Sequence, residues 1–242
     1  MRALAVAAAL ALAAQWTNYP RTPDLKGPAP RSANGHPDLS GLWQADDQTY
    51  FFDLSAGLKP GAVVMLPWAQ AEQQRREARQ HGDDPLARCL PHGVPRINTN
   101  GIFPFKIVQT PGLVVILYEQ LNLFRQVFLD GRKFAGDLNP TWLGYSVGRW
   151  DGDTLVVDTK GFNEKTWLDT SKGHPASDAL HVIERFRRPT YGELEIVATV
   201  DDPKTYAKPW TTTPQHHRLQ TGTELMEFIC GENEKDLLHL NK

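Results

Sequence analysis

The sequence predicts an all-β protein, an antiparallel barrel of about ten strands carrying one surface helix. Three observations predict it. From Phe105 onward the chain runs in short β-branched and aromatic segments punctuated by turn residues. Three joints, Pro111-Gly112, Asp151-Gly152 and Tyr191-Gly192, place glycine where a tight hairpin calls for positive φ. The segment Glu193–Val200 alternates, with Leu194, Ile196, Ala198 and Val200 on one side of the pleat. A two-sheet sandwich or jelly roll is the alternative arrangement of the same strands. Composition agrees: among 242 residues 40% are apolar and 22% charged, with 18 Pro, 19 Gly and 2 Cys, which excludes a disordered, collagenous or disulfide-framework chain.

Taken in order, Met1-Arg2 is followed by a run of only Ala, Leu and Val ending at Ala13-Ala14-Gln15. That is the pattern of a secretory signal peptide over residues 1–14, too short to span a bilayer. The mature chain is therefore expected in the periplasm or outside the cell. In that oxidising compartment Cys89 and Cys230 are expected to pair, buried inert thiols being the alternative. Residues 15–37 contain Pro20, Pro23, Pro28, Pro30 and Pro37 without periodicity and read as an extended lead-in that need not be ordered. The body, residues 38–242, is expected to be one barrel domain. Pro67 opens a helix over 68–80, with Arg75, Arg76 and Arg79 near its end and Gly82 beyond, and its weak apolar stripe makes it a surface element. Strands are expected at 41–45, 105–110, 113–119, 122–129, 143–150, 154–159, 181–188, 193–200, 211–219 and 223–230.

Charges set among these strands point to the site. On a two-residue period Glu184 shares a face with Val182 and Phe186, while His181 shares the other with Ile183 and Arg185. Arg125, flanked on its face by Leu123 and Val127, is the possible ion-pair partner of Glu184, and Glu119 and Asp158 also interrupt apolar runs. Such charges in a lining imply a ligand that is itself partly polar. The long connection from Gly161 to Asp178 is dense in Asp, His and Trp, including Trp167, Asp169 and His174, and loops of that length commonly carry function. The bland reading makes Phe162 and Trp167 packing pegs. Cys89–Arg96 is a Pro/Gly-rich turn delivering His92 and Arg96, the latter able to clamp a carboxylate or to fasten the loop. No metal is expected, because His216-His217 are adjacent and His36, His81, His92, His174 and His239 show no ligand spacing. Ser177, His174 and Asp169 make a triad only on paper, with no nucleophile turn to support it.

Two resemblances follow from these residues. The Gly41-Leu42-Trp43 segment after an extended lead-in resembles the first strand of lipocalin-like barrels, whose Trp closes the floor. The stretches Cys89–Arg96, Trp150–Thr159, Gly161-Phe162-Asn163, Trp167-Leu168-Asp169, Gly173-His174-Pro175, His181–Phe186 and Asp201-Asp202-Pro203 resemble a family of secreted bacterial proteins of unassigned function, over about residues 41–233. That resemblance implies no reaction. A second His often follows the Gly-His-Pro motif in similar sequences, where Ala176 stands here.

Two functions are thus expected of one cavity. The first is a binding barrel for an amphipathic or aromatic small molecule, with Trp142, Trp167, Arg125, Glu119, Arg96 and Glu184 around the ligand. The second is an acid/base lyase, isomerase or hydrolase without cofactor, in which His181 or His174 moves a proton with Asp169 or Glu184. With formal charge −2, neither nucleic acid nor an anionic membrane is an expected partner.

Overall fold

The computed structural model describes residues 23–232, so the expected signal peptide and the first part of the lead-in lie outside it. Ten strands form one sheet: β1 Gly41–Ala45, β2 Phe105–Gln109, β3 Leu113–Tyr118, β4 Leu123–Phe128, β5 Tyr145–Asp151, β6 Thr154–Lys160, β7 His181–Arg187, β8 Glu193–Asp201, β9 Trp210–Thr211 and β10 Gln215–Leu219. The order is β10-β1-β2-β3-β4-β5-β6-β7-β8-β9, and β10 also pairs with β8, which closes nine strands into a barrel and leaves β9 outside the ring. The expected barrel is what forms, mixed rather than wholly antiparallel, with one helix of length among the described residues, Pro67–Ala78, on its surface.

Three differences from the expected pattern have local causes. The pairing of β4 with β5 is parallel and only two residue pairs long, Val127 with Ser146 and Phe128 with Val147. Residues 129–144 carry the chain back to start β5 in the same direction, the kind of crossover a parallel joint requires. The expected strand at 211–219 breaks into β9 and β10 around Pro214, which has no N–H to give a ladder. The expected strand at 223–230 is an irregular strap, because side chains take its backbone: Met226 N donates to Glu119 and Phe228 N to Asn122, while Asn122 donates back to the Phe228 carbonyl.

Of the three hairpin glycines only Gly152 has positive φ, at 60°. Gly192 serves close approach instead, since a Cβ there would meet the Leu25 Cβ at 2.7 Å. The described part of the lead-in is ordered: Gly192 N and Tyr191 N donate to the carbonyls of Leu25 and Gly27, and the His36 ring stacks on Trp150. Trp43 is fully buried with its indole N–H on the Leu39 carbonyl and the Arg188 guanidinium 4.8 Å from its ring, closing that end of the barrel. Inward residues fill the lumen: Phe105, Ile107, Val114, Ile116, Tyr118, Val127, Leu155, Val157, Phe186, Leu194 and Ile196 are all buried in one core. The short turn Arg96–Thr99 caps the other end, all four residues buried.

Candidate functional site

The lumen holds a polar network of fixed geometry. Arg125 Nη2 stands 2.5 Å from Glu184 Oε2, and both side chains are essentially without exposure. Arg125 also donates from Nε to Ser146 Oγ at 2.9 Å and from Nη2 to Thr159 Oγ1 at 2.7 Å. Asn98 donates to Glu184 Oε1 at 2.5 Å and accepts from the Tyr118 hydroxyl at 2.8 Å. Burial works against the charge on Arg125, but the facing Glu184 carboxylate more than offsets it and holds the guanidinium pKa above its ordinary value. Burial pushes the Tyr118 hydroxyl up, so it stays a neutral donor. The pairing of Arg125 with Glu184 is thus as the strand periodicity indicated, in the form of a closed ion pair.

Other expected site residues fall elsewhere. His181 and Asp158 lie on the outer face, 3.1 Å apart, with Asp158 also bound to Arg149 at 2.6 Å. The alternation that turns Glu184 inward turns His181 outward, so the two cannot share a substrate. Glu119 lies past the end of β3 and anchors the strap rather than lining the lumen. Arg96 is fully buried in a two-pronged pair with Asp84, at 3.0 and 2.7 Å, and also donates to Thr170, so it fastens the loop. Trp167 is buried beneath the Arg76 guanidinium, 4.0 Å from its ring. Trp142 is half-buried in the loop before β5. Ser177 gives its hydroxyl to Asp202 at 2.7 Å, not to His174, so the paper triad does not assemble.

The 161–178 loop does bring Asp169 and His174 together. Asp169 is fully buried; its Oδ2 lies 2.5 Å from His174 Nδ1 and accepts from Leu54 N at 2.9 Å, and its Oδ1 accepts from His174 N at 3.1 Å. His174 is 4% exposed, and its Nε2 makes no hydrogen bond among the described residues. Asp53, from the segment after the helical turn Thr49–Phe52, completes a group in which one ligand atom from each of Asp53, Asp169 and His174 lies within 4.8 Å of the others. Sequence spacing could not reveal Asp53, which is more than a hundred positions from its neighbours.

Of five cavities of about 140 to 400 Å³ among the described residues, none is lined by Arg125, Glu184, Asp169 or His174. One, of about 250 Å³, lies at the short parallel joint and is lined by Phe128, Phe134, Ala135, Leu138, Tyr145 and Val147, with Arg132, Lys133 and Ser146. The Arg132 guanidinium lies 3.7 Å from the Phe128 ring and is held by Asp130. Ser146, on the cavity wall, is the residue whose hydroxyl accepts from the lumenal Arg125, and Arg125 Nη1 has no partner among the described residues. None of the wall residues falls within the stretches quoted above as motifs, so nothing in the sequence marks them.

No family model matches this chain, and no curated protein matches it. Among solved structures, it is similar to the crystal structure of an asparagine-to-alanine mutant of the fluorescent protein UnaG, with 14% identity, 76% of this chain and 96% of that chain covered, and a TM-score of 0.35. A likeness of that strength carries nothing about ligand or mechanism.

Proposed function

We propose that this protein is a secreted small-molecule-binding barrel whose ligand sits in the cavity on the outer face of the β4–β5 joint rather than in the lumen. The observation that carries the reading is that cavity: an apolar, aromatic-lined space with cations at its rim, on the outer face of the parallel β4–β5 joint. Apolar lining with a few placed polar groups is what binding sites for amphipathic molecules present. Phe128, Phe134 and Tyr145 suit an aromatic or aliphatic body, and Arg132 and Lys133 a polar end. Secretion is supported by the Cys89–Cys230 disulfide, a bond of oxidising compartments, and by the apolar N-terminal run. Among the described residues no helix is long and apolar enough to cross a membrane.

The test is a titration with the amphipathic fluorophore 1-anilinonaphthalene-8-sulfonate, followed by mass spectrometry of molecules that copurify with the native protein. Binding with a blue-shifted emission is expected, weakened about tenfold or more by Ala135→Trp, which fills the cavity from an exposed loop. Equal binding by that variant would place the ligand elsewhere and end the reading.

A further inference from the structure

A second centre lies away from that cavity, in the loop layer. The segment carrying Asp53 and the one carrying Asp169 and His174 are clamped together by backbone bonds: Thr170 N donates to the Phe51 carbonyl, and Ser171 N and Lys172 N to that of Phe52. Leu54 N adds a bond to the Asp169 carboxylate, and Asp53 is itself fixed by the Ser55 N–H and hydroxyl. The result is two carboxylates and an imidazole presented at one point, two of the three residues buried. Neither carboxylate is paired with Lys or Arg among the described residues; Asp169 meets only His174, and Asp53 no cation at all. Two carboxylates this close repel unless a proton or cation lies between them. Beside the group stands Trp210, 4% exposed, its ring 5.8 Å from that of His174 and its indole N–H without an acceptor.

We propose that Asp53, Asp169 and His174 form a binding site for a divalent transition-metal ion. Ligand atoms around one such ion, with bonds of about 2.0–2.2 Å, stand roughly 3–4 Å apart, and the present ones already lie within 4.8 Å of one another. Mixed imidazole and carboxylate donors favour zinc or manganese over calcium or magnesium, which take oxygen throughout. Three protein ligands leave coordination positions open, as in metal centres that polarise a bound water or carbonyl. The bonds from Leu54 and Ser55 then act as the outer shell that aims the carboxylates.

Equilibrium dialysis of the whole protein against Zn²⁺ or Mn²⁺ alone, with metal analysis, tests this, and isothermal titration gives the affinity. One ion per chain is expected, with a raised melting temperature when loaded and affinity at least about tenfold weaker in both Asp53→Asn and His174→Gln. Asp53→Asn bonds only within its own turn, so it decides the matter if His174→Gln folds poorly. Absence of uptake by the unsubstituted protein, or uptake undiminished in Asp53→Asn, overturns the proposal and leaves the Asp169–His174 contact as a structural hydrogen bond.

Discussion

At the scale of single residues, the buried pair of Arg125 and Glu184 sets the character of the lumen. Two charges with no exposure are held by attraction to each other and by bonds from Asn98, Ser146 and Thr159. Such pairs are costly to break and cheap to replace, because removal of one partner strands the other without water. Glu184→Gln should therefore destabilise by about 3 kcal/mol or more in chemical denaturation. The double substitution Arg125→Met with Glu184→Leu should lose much less than the two single changes summed. That the two could pair was legible in the alternation of β7 and β4, since a carboxylate and a guanidinium each flanked by apolar residues on its own face are candidates for each other. That the pair would close on itself and line none of the five cavities was not legible, because periodicity states which way a side chain points and not how much room lies in front of it.

At the scale of elements, the segment from Pro85 to Asn100 behaves as a plug. Arg96 ties it to Asp84, Asn98 ties it to the lumenal pair, and His92 is fully buried with neither ring nitrogen bonded among the described residues. Burial, helped by the nearby Arg96 charge, holds the His92 pKa well below its ordinary value, and burial lowers that of His217 likewise. Both stay neutral in the fold while an unfolded histidine takes up a proton below about pH 6.5. The unfolded chain then binds more protons, so stability is full above that pH and is lost as pH falls toward the folded values. Each group contributes a slope of about 1.4 kcal/mol per pH unit in that window. Stability measured from about pH 7.5 down to 5 should decline, and His92→Phe should decline less steeply. Sequence reading placed this turn and its rigid prolines correctly, and weighed Arg96 as a fastener as well as a clamp; the fastener is the one the fold uses.

At the scale of the whole molecule, the disulfide joins the end of the Pro85–Arg88 turn to the last described segment, across 141 positions of sequence. It holds a strap that has no ladder of its own, attached otherwise by Glu119, Asn122 and the Phe103–Phe228 contact. Replacing both cysteines with alanine should lower stability by about 4–5 kcal/mol in the chain-entropy account, read as a fall in the denaturation midpoint against the oxidised protein. By itself the sequence determined the all-β class, the faces of β7 and β8 and the surface helix, and it named Glu184 and Cys230 as candidate partners of Arg125 and Cys89, because burial periodicity and residue chemistry are local or pairwise properties. Only the tertiary structure decided that β4 and β5 run parallel with a cavity at their joint, that 223–230 is a strap, and that Asp53 meets Asp169 and His174. Strand direction and the meeting of distant loops follow from how the chain closes on itself and packs, and no stretch of sequence carries that information alone.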